Sequence, residues 1–322
     1  MNGKMLVAGA AAMLALGASA SAFDGLWAMD LPYDEFPAGH LVIRSGADGK
    51  TEVDMLCRDS SPVRCHVVQI DGNKFRFERR RYRVDGELKG DAMDCTLTFF
   101  DDEENTKVAF SGKAFKAKRN PPIDPKASVK DAKFGPAIDL LAEGLDGFES
   151  LTDADPEGSW SWDETEKVLS NRLKRTLGGR PIPGVNIKTI REDFTDFRLD
   201  CEVRVPAGSN SGLYLRGRYE IQVIDSFGKA PDCHNMGALY GRLTPSVAAE
   251  RKAGEWQTLS VILYKRHLSV TLNGKTIIDD RPVEGITGGA IDANEFTPGP
   301  LYIQGDHSDA DYRNMKLFPA IN

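Results

Sequence analysis

The chain has 322 residues, 41% hydrophobic and 28% charged, with a net charge of −7. That is ordinary soluble globular composition, long enough for more than one domain. A mildly acidic chain with no basic stripe argues against a nucleic-acid partner. The one basic run, Arg79-Arg80-Arg81, lies in an alternating stretch and reads as a solvated strand or turn.

Lys4, an apolar run from Met5 to Leu16, and Ala18-Ser19-Ala20-Ser21-Ala22 have the order of a secretion signal. Residues 1–22 are expected to be removed, leaving Phe23 as the mature start and a periplasmic or secreted protein. The apolar run is too short to span a membrane, and no later stretch is apolar enough. Five cysteines suit an oxidising compartment without defining a framework. Cys57 and Cys65 flank Ser60-Ser61-Pro62, where a bridge across a hairpin fits. Cys95, Cys201 and Cys233 remain an odd set, and buried free thiols are the simpler reading. No C-x-x-C pair supports a thiolate zinc site.

Residues 23–118 break into short strands between turn signals, among them Gly39–Ser45, Thr51–Cys57, Lys74–Arg79, Thr96–Phe100 and Lys107–Phe115. This spacing predicts a small antiparallel barrel or sandwich. Arg119-Asn120-Pro121-Pro122-Ile123-Asp124-Pro125 then begins a proline-rich linker, taken as residues 119–142, with a short helix expected within Ser128–Leu141. Residues 143–322 are β-rich again. Strands are expected over Phe197–Val205, Gly212–Ile224, Trp256–Tyr264, Leu268–Leu272, Lys275–Ile278, Leu301–Gln304 and Tyr312–Phe318. Asn273-Gly274 is the strongest hairpin signal in the chain. The simplest architecture is all-β, a jelly-roll sandwich behind a smaller β domain. Trp256 reads as a core residue. Of Trp160 and Trp162, one is expected to pack and one to face ligand.

In Asn210–Ser226, odd positions such as Leu213, Leu215, Tyr219, Ile221 and Val223 are mostly apolar, while Arg216, Arg218, Glu220 and Gln222 share the other face. Read as one strand, this packs the odd face on the core and leaves the even face either solvated or lining a site. A bulge at Ile224-Asp225 would bring Asp225 beside Gln222.

Several motifs fall in one order: Phe194-Thr195-Asp196-Phe197-Arg198, the run from Asn210 to Asp225, Gly237-Ala238-Leu239-Tyr240-Gly241, Gly254-Glu255-Trp256-Gln257-Thr258, Leu272-Asn273-Gly274, Ile286-Thr287-Gly288-Gly289-Ala290 and Gly299-Pro300-Leu301-Tyr302-Ile303-Gln304. Over about residues 143–319 the chain resembles the 3-keto-disaccharide hydrolase family, which has a concanavalin-like lectin/glucanase jelly roll. The resemblance implies an exported enzyme that cleaves 3-keto glycosides by hydrolysis or by elimination and hydration. It implies a small-molecule or oligosaccharide substrate held on the concave face, a divalent metal ion in some members, and no organic cofactor. A non-catalytic lectin-like carbohydrate-binding protein is the competing expectation. Glu220-x-Gln222-x-x-Asp225 is also similar to the acid/base strand of laminarinase-like glucanases, except that Gln222 stands where a central acid is usual. That departure weakens a two-carboxylate retaining mechanism.

A 3-keto group acidifies the hydrogen at C2, so the site needs a base there, a stabiliser for the enolate and a donor for the leaving oxygen. Glu220 or His307 is the expected base and Arg216 the enolate partner. Tyr240 is expected to donate to the leaving group or stack on a ring. Arg218, Gln222, Asp225 and Gln304 are expected to bind substrate. His307 stands one position from its usual place in the family pattern. Asp306, Asp309 and Asp311 read as a solvated acidic loop or a calcium site. A metal between His307 and Glu220 remains open. Of the other histidines, His234 lies in the loop after the key strand.

Overall fold

The computed structural model describes residues 21–46, 48–58, 60–174 and 184–322. The expected signal segment lies outside the described residues up to residue 20. Among the described residues no helix is long and apolar enough to cross a membrane.

Among the described residues, nine strands form the first sheet. They are β1 Gly25–Asp30, β2 Ala38–Ser45, β3 Thr51–Cys57, β4 Val63–Arg64, β5 Val67–Asp71, β6 Lys74–Arg79, β7 Tyr82–Lys89, β8 Ala92–Phe100 and β9 Val108–Asn120. Their spatial order is β4-β3-β2-β1-β9-β8-β7-β6-β5. The two outermost strands are joined by only Cys65 and His66, whose N–H groups donate to Val53 O at 2.8 Å and Glu78 O at 2.9 Å. The sheet therefore curls until its two end strands lie close together. Trp27, Met29, Leu41, Val53, Phe77 and Leu97 fill the interior. Cys57 and Cys65 lie in this core as free thiols, pushed up by burial to about 11 and about 12.

The linker expectation needs correction at its start. Arg119 and Asn120 still pair with Trp27 and Leu26, so β9 ends at Asn120 and the irregular stretch begins at Pro121. Arg119 is held there by stacking on Trp27, 4.1 Å from the ring centre. The expected short helix is a single 3-10 turn, Val129–Asp131, capped by Ser128.

The second region contains β10 Ile138–Asp139, β11 Phe148–Ser150, β12 Trp160–Asp163, β13 Val168–Asn171, β14 Ile187–Thr189, β15 Phe197–Arg204, β16 Asn210–Leu215, β17 Tyr219–Ile224, β18 Gln257–Tyr264, β19 His267–Leu272, β20 Lys275–Pro282, β21 Tyr302–Ile303 and β22 Ala310–Pro319. One sheet runs β12-β13-β22-β15-β18-β19-β20, with β10 beside β22, and the other runs β11-β14-β21-β16-β17. Strict alternation makes the sandwich. Phe197, Leu199, Cys201 and Val203 of β15 are buried, and the residues between them are not. Leu213, Leu215, Tyr219, Ile221 and Val223 face them from the second sheet. This is the jelly-roll architecture. Trp160 belongs to the core, donating to Val185 O at 2.6 Å, whereas Trp162 is partly exposed. Trp256 is not a core residue. It lies half-exposed between Arg313 and Arg204, 4.0 and 4.6 Å from its ring centre.

Gly212–Ile224 is a hairpin, not one strand. Arg216 and Gly217 both have positive φ (52° and 67°), and Arg218 N donates to Leu215 O at 3.0 Å. Two consecutive positive-φ residues are what a tight type I′ turn requires. Leu215 pairs with Tyr219, four positions on, so the odd/even parity survives the turn. That is why the run reads as one continuous strand.

The barrel and the sandwich share packing. Ala38 and Leu56 of the barrel belong to the sandwich's core cluster. Glu295 is buried between them. Its carboxylate accepts from Asn120 Nδ2 at 2.5 Å and Tyr219 Oη at 2.9 Å, and lies 3.4 Å from His40 Nε2. Arg216 donates to the Glu295 backbone carbonyl at 2.6 Å.

Candidate functional site

The parity of the hairpin builds the site floor. Tyr302 pairs with Tyr214 across β21 and β16, and Tyr214 pairs with Glu220 across β16 and β17. Three side chains therefore stand in a row on one face. The next row holds Gly212 opposite Gln222, with Gln304 N donating to Gly212 O at 3.0 Å. All of these but Gly212, together with Asn210, Tyr240, Gly288, Gly289, Asp306, His307 and Phe36 of the barrel, enclose a cavity of about 150 Å³.

Glu220 is 3% exposed. Burial pushes its carboxyl up, opposed by the hydrogen bond to Tyr214 and by the charge of His307, to about 8. Tyr214 Oη lies 2.9 Å from Glu220 Oε2 and 3.0 Å from Gly288 O. A phenol has one proton, so these contacts alternate. With Glu220 protonated, the carboxyl donates to Tyr214 and Tyr214 donates to Gly288 O. With Glu220 ionised, Tyr214 turns its proton to the carboxylate. Burial also raises Tyr214 well above the ordinary phenol range, which keeps it neutral. Its ring stacks on Tyr302 at 4.1 Å.

His307 Nδ1 lies 2.6 Å from Asp306 Oδ1. Burial works against the Asp306 charge, but the His307 contact holds its carboxyl below the usual range. An aspartate on Nδ1 fixes the imidazole orientation and supports a proton on the ring. Two further atoms on the cavity wall point to a ligand. Gln304 Oε1 and Asn210 Oδ1 are buried acceptors with no hydrogen-bond partner. Such atoms are costly unless something donates to them, and sugar hydroxyls are suitable donors. Gln222 directs its own oxygen to Val223 N at 3.1 Å, which turns its amide N–H groups elsewhere.

Of the expected site residues, Glu220, Gln222, Tyr240, Gln304 and His307 come together. Arg216, Arg218 and Asp225 do not. Arg216 is in the turn and is bound to Tyr219 Oη and Glu295 O. Arg218 is held by a bidentate pair with Asp292, both contacts 2.7 Å. No bulge forms at Ile224-Asp225. β17 ends at Ile224, and Asp225 accepts from Gly208 N at 3.0 Å. The turn between Leu215 and Tyr219 takes Arg216 and Arg218 off the strand face, and Asp225 lies past the end of β17. The acidic loop is also dispersed. Asp309 accepts from Leu173 N, and Asp311 is buried and paired with Arg172 and Arg204.

Asn210, Tyr214 and Tyr302 were legible in principle, since all continue the alternation that marks Glu220, Gln222 and Gln304. Phe36 carries no such signal, because it comes from the other end of the chain. His234 stands behind Tyr240, with ring centres 5.1 Å apart, and contacts Ser61 Oγ of the barrel at 2.9 Å.

Among the described residues, the group that brings three ligand atoms within 4.8 Å is Asp232, Cys233 and His234, outside the cavity lining. Glu220, Asp306 and His307 form no such group.

The 3-keto-alpha-glucoside-1,2-lyase-like domain matches residues 138–317, more than half of the chain. The chain belongs to this family. No curated protein matches it at a significant level. Among solved structures, a proposed glycosyl hydrolase from Parabacteroides distasonis ATCC 8503 is 19% identical, over 58% of this chain and 94% of that one, with a TM-score of 0.45. The endo-beta-1,3(4)-glucanase SCLam is 13% identical over 62% and 95%, with a TM-score of 0.36. The carbohydrate-binding module CBM66 from Bacillus subtilis is 15% identical over 52% and 93%, with a TM-score of 0.31. These are likenesses of fold alone. Membership of the family makes this domain a carbohydrate-active jelly roll, and its cavity opens on the sheet that carries Glu220.

Proposed function

We propose that this protein is an exported enzyme that cleaves 3-keto α-glucosides by elimination across C1 and C2. The observation that carries the reading is Glu220, a carboxyl raised to about 8 in a cavity that also holds the Asp306–His307 pair. Two titratable groups in different surroundings divide acid and base work between them.

In this reading His307 removes the C2 proton, which the neighbouring 3-keto group has made acidic. The C2–H electron pair forms the C1=C2 bond, and the C1–O bond breaks. Glu220, protonated at neutral pH, gives its proton to the departing oxygen. Gln222 and Tyr240 supply donors toward the carbonyl oxygen as charge develops there. Asn210 and Gln304 accept from the ring hydroxyls and fix the pose. Water adding across the new double bond would complete a net hydrolysis, and proton exchange with solvent resets both groups.

The test is purified mature protein with methyl 3-keto-α-glucoside in D₂O, followed by NMR. The expected result is methanol release with deuterium at C2, reduced at least ~100-fold by Glu220→Gln. Methanol release with a 3-keto glucose that keeps its original C2 hydrogen would replace elimination by direct displacement, whereas a glycal with no hydrogen at C2 is the elimination product before water adds. Sugar binding without turnover would make the protein a lectin-like binder and overturn the reading.

A further inference from the structure

A second cavity, of about 420 Å³, adjoins the first. The two share Phe36 and Asp306 in their walls. One side of the second cavity is the barrel segment Asp34–Pro37. The other is sandwich backbone and side chains that include Leu151, Ala154, Val185 and Ile291. The Glu220 cavity alone is smaller than the roughly 300–1,000 Å³ of ordinary small-molecule sites. The two together fall within that range.

Phe36 divides them in an unusual conformation. Its φ is 51°, in the left-handed region that a bulky residue rarely enters. It also precedes Pro37, a position normally held to extended backbone. The loop is closed by Leu31 N donating to Pro37 O at 2.7 Å, and Arg58 lies over the Tyr33 ring at 4.5 Å. Such conformations persist where the surroundings over-determine them, and they gather at ligand clamps.

We infer that the barrel builds the leaving-group side of the active site. The second cavity takes an uncharged, ring-sized leaving group such as a second sugar, with Phe36 between it and the 3-keto ring. The apolar side chains offer a face for a ring. Asp34, Glu35 and Asp306 at its edge disfavour an anionic group such as a phosphate or uronate. This inference rests on the proposed lyase reading and adds to it a task for the barrel.

The test compares a 3-keto disaccharide with methyl 3-keto-α-glucoside in two variants. Ala154→Trp, at an exposed loop position, fills the second cavity from the sandwich side. Phe36→Gly removes the divider while glycine accepts the positive φ. The expected result for Ala154→Trp is at least a tenfold loss of kcat/KM on the disaccharide and less than a twofold change on the methyl glucoside. Phe36→Gly is expected to lose more on the disaccharide than on the methyl glucoside. A wild type active on both, with both substrates affected equally or neither affected, would overturn the leaving-group site alone. A wild type inert on both substrates would overturn the lyase reading and this inference with it.

Discussion

His40 of the barrel and Glu295 of the sandwich face each other with Nε2 3.4 Å from Oε2, and both side chains are closed to solvent. Burial opposes the Glu295 charge, yet His40, Arg266 and Tyr219 hold its carboxyl down at about 2, against an ordinary value of 4.5. Burial also lowers His40. Glu295 therefore works as an anionic knot between two folds. Breaking a buried pair from one side typically costs about 3–5 kcal/mol. Glu295→Ala is expected to lower the melting temperature and to split or broaden the transition as the barrel separates from the sandwich. The stabilisation should be full above pH 4.5 and lost as pH falls toward 2, since the folded state holds the group ionised. An unchanged single transition in calorimetry would refute this role.

Glu220 runs the opposite way. Its folded value of about 8 lies above the ordinary 4.5, so the folded state binds its proton more tightly than the unfolded chain does. Below pH 4.5 both states are protonated and the residue costs nothing. As pH rises toward 8 the unfolded state gains by ionising, and the fold loses on the order of 4 kcal/mol. Glu220→Gln is expected to melt higher than wild type at pH 8 and equally at pH 4, while losing activity. Stability lost at both pH values would show that Glu220 is a structural group.

Activity should follow the same proton. If protonated Glu220 serves the leaving group, kcat/KM falls as pH rises through about 8. Tyr214 stabilises the ionised form, so Tyr214→Phe should move that limb to higher pH, besides any loss of rate. A limb that moves down, or does not move, would separate Tyr214 from the titration of Glu220.

How much of this was legible in the sequence depends on distance along the chain. Alternation within 210–224 and 301–304 marks the floor of the site, because a strand's period is local. The turn at Arg216-Gly217 was hidden, because a three-residue loop preserves parity and the charges of Arg216 and Arg218 continue the pattern. Their actual partners, Glu295 and Asp292, lie more than seventy positions on, and pairings of that kind follow from topology rather than spacing. Phe36 and the Glu295 knot were invisible for the same reason. They exist only where the barrel meets the sandwich.

Gly212 provides the sharpest test of the cavity's geometry. It sits opposite Gln222, and a Cβ there would come within 2.4 Å of Glu220 Oε1 and 2.9 Å of its Cγ. No left-handed backbone is involved, and the three nearest atoms that an added Cβ would meet all belong to the Glu220 side chain. That side chain must give way, moving its carboxyl off Tyr214. A displacement of about 1 Å at a reacting group can cost roughly 100-fold. Gly212→Ala is expected to lose activity on that scale and to keep its sheet and its melting temperature within a few degrees. Activity within threefold of wild type would mean that the position of the Glu220 carboxyl does not govern the reaction.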